Sequence, residues 1–168
     1  KFDSADKPLK ESQKRAAKCS MGDSAEWDKQ NGDGALRLHK RISENQSRTR
    51  IEIPSERLSG QSFSISLKAK IYSKGSYVSG DQYLLCSRSV FFRYSTDRHA
   101  FEFGVRTNNG WVTARSYKRK FSVKPNRWYL LSGSYDGTEI RFSIDCKLQE
   151  KVKASGAVKH TPFILGAI

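Results

Sequence analysis

Apolar and polar residues alternate along much of the chain, which is the pattern of β-strands with one buried face. The clearest stretch places apolar side chains at every second position, separated by serine and lysine: Phe63, Ile65, Leu67, Ala69 and Ile71. A weak helical pattern at residues 10–18 has no apolar stripe, and no longer window shows a helical period. The pattern therefore predicts an all-β protein.

Residues 128–148 predict a β-hairpin. Residues 128–135 are rich in aromatic and apolar side chains, and Asp136-Gly137-Thr138 follows as a tight turn. The second strand then alternates apolar and polar residues, with Ile140, Phe142, Ile144, Cys146 and Leu148 on its apolar face. We therefore expect Cys146 to be buried in the core.

Shorter strands are predicted between and before these segments, at residues 36–38, 51–53, 83–86, 90–94, 100–107 and 111–117. Asn108-Asn109-Gly110 provides the turn between the last two. Short strands separated by turns predict an antiparallel sandwich of two sheets, formed by residues 34–168. Residues 1–33 are polar and turn-rich. They predict an N-terminal arm, part of which packs on the body.

Two groups of strings carry a resemblance to a known family. Residues 128–167 contain W-Y-L-L-S-G-S-Y-D-G-T-E-I-R-F-S-I-D, S-G-A-V and T-P-F-I-L-G-A, and the front half contains A-L-R-L, R-I-E-I-P and L-S-G-Q-S-F-S-I-S-L-K-A-K. They resemble a laminin G-like domain of the concanavalin A-like lectin/glucanase superfamily, which implies a jelly-roll sandwich. The string Ile144-Asp145-Cys146-Lys147 also resembles thrombospondin N-terminal-like domains, which implies heparin binding. The jelly-roll fold itself serves lectins, adhesion modules and glycanases alike.

The end of the chain departs from this family pattern. Laminin G-like domains continue into one more strand after the equivalent of residues 163–167, whereas this chain stops at Ile168. We therefore expect the 163–167 strand to lie at an open edge, unless the arm or another polypeptide pairs with it. The chain starts at Lys1 without an initiator Met or a signal peptide, so we interpret it as a mature or excised fragment. No apolar run is long enough to span a membrane.

Positive charge is concentrated in the body. The formal net charge is +14, yet residues 1–33 hold seven basic and seven acidic side chains, which leaves 24 basic and 10 acidic ones in the rest. Such an excess opposes folding through self-repulsion and favours a polyanionic partner. The ligand-binding candidates are Arg93, Arg106, Trp111, Arg115, Lys118, Arg119, Lys120, Lys124 and Arg127. Trp111, Arg115 and Tyr117 share one strand face, where the indole could stack on a sugar or pack inside the second sheet.

Other chemistry is less well supported. No paired acids at alternate strand positions are present, so no catalytic residues are expected. The disulfide candidates are Cys19, Cys86 and Cys146; in an oxidising compartment one pair would form, and the third thiol would remain for another chain or segment. Asn45 is a glycosylation candidate in Asn45-Gln46-Ser47. Asp97, Asn108, Asn109 and Asp136 could meet at the rim and bind calcium, but roles in turns are the preferred interpretation, and we expect no cofactor.

These features together predict a non-catalytic, secreted or cell-surface module that binds anionic polysaccharides such as sulfated glycosaminoglycans. Nucleic acid is not an expected partner, because no RRM-like or OB-fold pattern is present. The alternative is an adhesion or assembly module that contacts another protein chain through an unpaired cysteine or an open sheet edge. A glycan-active enzyme is the third and least favoured hypothesis.

Overall fold

The computed structural model describes residues 61–71, 81–117, 121–159 and 161–165 in full, together with the backbone of short strands before residue 54. In this part of the chain the strands are β1 (Leu9–Lys10), β2 (Ala16–Ala17), β3 (Ala25–Asp28), β4 (Ala35–Leu38), β5 (Ile51–Ile53), β6 (Phe63–Lys70), β7 (Asp81–Cys86), β8 (Val90–Ser95), β9 (Ala100–Thr107), β10 (Gly110–Arg115), β11 (Trp128–Tyr135), β12 (Glu139–Ile144), β13 (Lys147–Lys153) and β14 (Phe163–Leu165). None of the described residues is helical, so none belongs to a helix that could cross a membrane.

The strands form two main antiparallel sheets. One has six strands in the order β10-β9-β8-β7-β14-β5, and the other has four in the order β13-β12-β11-β6. Two further ladders pair β1 with β2 and β3 with β4. This arrangement confirms the predicted jelly-roll sandwich.

The core lies between the two sheets and follows from the alternation in the sequence. In β11 and β12 every second residue is buried, including Leu131, Ile140 and Phe142, none of which exposes any surface. The six-stranded sheet contributes Phe92 and Phe103, whose ring centroids are 4.7 Å apart. Because both sheets face the same aromatic layer, their opposite faces are left for solvent or ligands.

The predicted turns are confirmed where the sequence offers glycine. Gly110 and Gly137 have φ values of 114° and 95°, a region that favours glycine, and they connect β9 to β10 and β11 to β12. The Asp136 carboxylate accepts hydrogen bonds from the amide N–H groups of Thr138 and Glu139 at 2.9 Å each, which fixes the second turn.

The predicted burial of Cys146 is wrong. Strand β12 ends at Ile144, and Asp145-Cys146 forms a two-residue turn in which both residues have positive φ, 49° and 63°. That is the geometry of a type I′ hairpin turn, in which aspartate is well tolerated. Cys146 is therefore exposed, and Leu148 lies on the outer face of β13 with 51% of its surface accessible.

The expected open edge at residues 163–167 is also wrong for the described part of that strand. Strand β14 pairs with β5 on one side and with β7 on the other. The edges of the six-stranded sheet are β5 and β10. The predicted packing of the arm on the body concerns side chains outside the described residues.

Candidate functional site

The outer face of the six-stranded sheet carries four of the predicted ligand-binding residues. Strand β9 points Phe101, Phe103 and Val105 into the core, so its alternate residues point outward. The strand register places Trp111 next to Arg106, and it places Arg115 and Arg93 on either side of Glu102. We call this surface the arginine face; its members are Tyr83, Phe91, Arg93, Glu102, Gly104, Arg106, Trp111 and Arg115.

An aromatic row crosses the arginine face. The ring of Phe91 lies 5.2 Å from that of Trp111 and 5.8 Å from that of Tyr83, measured between centroids. Phe91 is 7% exposed, whereas Trp111 is 46% exposed. The indole therefore lies on the outside of the sheet, and the alternative of a ring packed between the two sheets is not what the structure shows.

Gly104 makes this aromatic row possible. Gly104 is the register partner of Phe91 on the neighbouring strand. The phenyl ring lies across the glycine so closely that an added Cβ would come within 3.0 Å of three ring carbons. The ring reaches Trp111 on β10 by passing over a position that has no side chain.

Arg93 links the aromatic row to two carboxylates. Its guanidinium donates to Glu102 Oε2 at 2.7 Å and forms an ion pair with Asp81 at 2.5 Å. It also lies 4.8 Å from the centre of the Phe91 ring. Burial lowers the pKa of Arg93, but the hydrogen bonds to Glu102 and Tyr83 outweigh this and the pKa is raised overall. Arg93 therefore stays charged and serves mainly to hold the face in place.

Glu102 lies beneath this cluster. It is 1% exposed, and its Oε1 has no hydrogen-bond partner among the described residues. The Arg98 guanidinium lies 3.6 Å from that oxygen. A buried carboxylate of this kind depends on its cationic neighbours for compensation.

Arg106 and Arg115 differ from Arg93 because neither forms an ion pair with a described carboxylate. Arg106 is exposed, and its backbone amide donates to the Ser89 carbonyl at 2.7 Å. Arg115 is half-buried, and its backbone amide donates to the Glu150 carboxylate at 2.7 Å. Their guanidinium groups are the cations of this face that a ligand could neutralise.

Tyr117 is held at the edge of the sandwich. Its hydroxyl donates to Glu150 Oε1 at 2.6 Å, which joins the end of β10 to β13 in the other sheet. This hydrogen bond raises the pKa of Tyr117, with burial a smaller cause. The hydroxyl is therefore directed to Glu150.

The remaining predicted site residues are spread over other parts of the molecule. Lys118, Arg119, Lys120, Cys19 and Asn45 lie outside the described residues. Lys124 lies in the segment before β11, where its amide donates to the Tyr129 hydroxyl at 2.7 Å. Arg127 forms an ion pair with Asp145 at 2.9 Å, next to the four-stranded sheet. Neither belongs to the arginine face.

The remaining described candidates are two cysteines and the turn residues considered for calcium. Cys86 and Cys146 are free thiols, and burial raises the pKa of Cys86. Asn108 Oδ1 accepts from the Ala157 amide at 3.1 Å. Hydrogen bonds from Thr138, through its hydroxyl and its amide, and from the Glu139 amide lower the pKa of Asp136 to about 2. No group of three or more His, Cys, Asp or Glu side chains in the described residues could hold a metal ion.

Sequence reasoning did not find the residues that organise this face. In the sequence, Phe91, Gly104 and Glu102 are recognisable only as parts of strands, because a buried carboxylate and a glycine in a strand have no local signal of function. The alternation would have placed Glu102 on the outer face of β9. Its pairing with Arg93 depends on the register between β8 and β9, which the sequence alone does not fix.

A sandwich of two antiparallel sheets is the architecture of concanavalin A-like domains. A laminin G-like family model, described as the concanavalin A-like lectin/glucanases superfamily, matches residues 45–167. The chain therefore belongs to this superfamily, as the sequence strings indicated. A comparison of the sequence with curated proteins found no match.

Several solved structures have a similar fold. The binding domain of botulinum neurotoxin serotype D has a TM-score of 0.71 at 11% identity, covering 95% of this chain and 40% of that one. Carbohydrate binding module CBM66 from Bacillus subtilis has a TM-score of 0.50 at 16% identity, with 85% and 84% covered. Domain 4 of AbnA, an extracellular arabinanase from Geobacillus stearothermophilus in complex with arabinotriose, has a TM-score of 0.58 at 15% identity, with 87% and 68% covered. This chain thus spans about two fifths of the neurotoxin domain, and these likenesses describe the fold.

Proposed function

We propose that this protein is a non-catalytic, extracellular module that binds anionic glycans, with sulfated heparin-like chains as the leading class. The observation that carries the proposal is the arginine face, where an exposed indole lies in register with an arginine that has no described acidic partner. A sugar ring can pack on the face of Trp111. A sulfate or carboxylate on that ring can then receive paired hydrogen bonds from the guanidinium of Arg106 or Arg115.

The charge distribution supports a polyanion over a neutral sugar. The 24 basic and 10 acidic residues after position 33 create a field that attracts anions to the whole body. Glu102, the acid of the arginine face, and the neighbouring Asp81 are already bound by Arg93. An incoming anion would therefore meet the remaining arginines without competition from these carboxylates.

The comparisons support a binding role more than a catalytic one. Among the similar folds are a carbohydrate binding module and a domain in complex with arabinotriose. For the alternative of a protein-binding module, the edge expected at residues 163–167 is covered because β14 has partners on both sides, whereas β5 and β10 are edges among the described strands. The other support of this alternative, an unpaired cysteine, remains in the exposed thiol of Cys146.

Chromatography tests the proposal directly. The protein should elute from immobilised heparin at clearly higher salt than from a sulfonate exchanger of similar charge density, since an organised site adds to counterion release. Arg106→Glu with Arg115→Glu should lower the heparin elution salt more than the control pair Lys124→Glu with Lys147→Glu, which changes the net charge equally. Trp111→Ala should weaken heparin binding without affecting the sulfonate column. Equal elution salts on the two columns, or equal losses from the two pairs, would mean non-specific attraction and would contradict the proposal.

A further inference from the structure

The outer face of the four-stranded sheet carries a second basic surface, opposite the arginine face. Its centre is lined by serine side chains that are adjacent in the strand register: Ser64, Ser66, Ser132, Ser134 and Ser143. The hydroxyls of Ser66 and Ser132 are 2.8 Å apart. We call this surface the serine face. Because serine side chains are small, they form a shallow polar depression between longer side chains.

Cations and one aromatic ring flank the serine side chains. At one end, Trp128 is 46% exposed, and the Lys70 ammonium lies 5.1 Å from the centre of its ring. Lys68 follows on the same face of β6 and is exposed. At the diagonally opposite corner, Arg141 is the register partner of Lys151 on the neighbouring strand.

The acids on this side are already compensated. Glu139 and Asp136 both form ion pairs with Arg141, and Asp145 pairs with Arg127. Lys68 and Lys151 have no ion pair with a described carboxylate. The serine face thus has unneutralised ammonium groups at both ends and hydroxyl groups between them.

The dimensions of the serine face suit an extended ligand. Trp128 and Ser134 mark the two ends of the serine face and are six residues apart along β11, which is roughly 20 Å at about 3.4 Å per residue. An open pocket of about 350 Å³ lies at the far end, lined by Ser62, Ser134, Asp136 and Arg141 among others. Serine hydroxyls both donate and accept hydrogen bonds, as sugar hydroxyls do.

We propose that the serine face is a second binding site for an anionic glycan, so that one module holds two glycan segments on opposite sides of the sandwich. This inference rests on the proposed function of the arginine face and adds a second site to it. The two faces lie back to back across a core about 10 Å thick, with the side chains of both sheets between them. A straight oligosaccharide on one face cannot reach the other. The module therefore cross-links chains instead of merely coating them.

Isothermal titration calorimetry with a heparin hexasaccharide tests this arrangement. The wild-type protein should bind two hexasaccharides. Lys68→Glu with Lys151→Glu should bind one, on the arginine face, and Arg106→Glu with Arg115→Glu should bind one, on the serine face. The control pair Lys124→Glu with Lys147→Glu should retain two. Thermal unfolding establishes that each variant is folded. The melting temperatures should stay close to that of the wild type, because exposed charges contribute little to stability.

The outcomes separate this inference from the proposed function. A wild-type stoichiometry of one that is lost only in the Arg106 and Arg115 variant would overturn the second site and leave the proposed function intact. A stoichiometry of one that is lost only in the Lys68 and Lys151 variant would overturn the assignment to the arginine face. Two sites in the wild type, with one remaining in each variant, would support both. As a second readout, long heparin should form large, light-scattering assemblies with the wild type but not with either single-face variant.

Discussion

Substituting alanine for Gly104 tests whether the aromatic row is the binding element of the arginine face. The added Cβ would come within 3.0 Å of three carbons of the Phe91 ring, whereas ordinary contacts are 3.4–4 Å, so the ring has to move. Phe91 is 7% exposed, and its neighbours Trp111 and Tyr83 limit where it can go. Overpacking of this kind costs about 1–3 kcal/mol, and full exposure of a phenylalanine costs a similar amount. For a chain of this size, the melting temperature should fall by roughly 2–12 °C.

Gly133→Ala is a matched control in β11 of the four-stranded sheet, on the side that faces the core. There the added Cβ would come within 3.0 Å of three ring carbons of Phe103, which lies in the core. We expect both variants to lose stability by similar amounts in thermal unfolding. At a temperature where both remain folded, only Gly104→Ala should bind the heparin hexasaccharide more weakly, by about fivefold for a loss of about 1 kcal/mol. Equal binding by the two variants would refute the role assigned to the aromatic row.

Three further substitutions test the structure elsewhere. Glu150→Gln should lower the free energy of unfolding at pH 7 and should lower the pKa of Tyr117. Because the fold of the wild-type protein raises the pKa of Tyr117, its contribution to stability is lost at high pH. The stability difference between variant and wild type, measured by urea unfolding, should therefore shrink as pH rises above about 10. Asp136→Asn should also destabilise the protein at pH 7. Since the folded pKa of Asp136 is lowered to about 2, the stability difference from wild type should shrink as pH falls from about 4 through 2, and a deficit as large at pH 2 as at pH 7 would contradict the assignment. Cys146→Gly should raise the free energy of unfolding by about 1 kcal/mol, because glycine tolerates the positive φ at this turn; a loss under oxidising conditions would instead indicate a disulfide to Cys19.

The sequence predicted the strands well where alternation and turn residues agree. The hairpin at Trp128–Ile144 has both an alternating second strand and an Asp-Gly turn, and the structure confirms it. The next turn was missed because Asp145-Cys146 lacks glycine and apolar residues continue at the same spacing on both sides of it. Strand β13 was missed for a related reason: Lys147–Lys153 is an edge strand with only two apolar residues, so its alternation is weak.

The candidate site was only partly predictable, because its contacts join residues that are distant in the chain. Trp111, Arg106 and Arg115 could be placed on one surface from the period of a single hairpin. The position of Phe91 over Gly104 could be predicted only from the register between β8 and β9. The burial of Glu102 depends on Arg93, which itself pairs with Asp81 on β7. Long-range register of this kind is set by packing of the whole sandwich, which local propensity does not specify.

The lysines of the four-stranded sheet also have a consequence for solubility. Both of its edge strands, β6 and β13, carry lysines at outward positions, and β13 has a register shift opposite Phe142 and Ser143. Charged side chains and bulges at edges prevent strands of neighbouring molecules from adding to a sheet, so these cations also protect the protein from aggregation. Substitution of Lys68 or Lys151 by glutamate keeps a charge at the edge and should leave the state of association of the protein unchanged. Substitution by valine would remove it and expose a template for fibril formation.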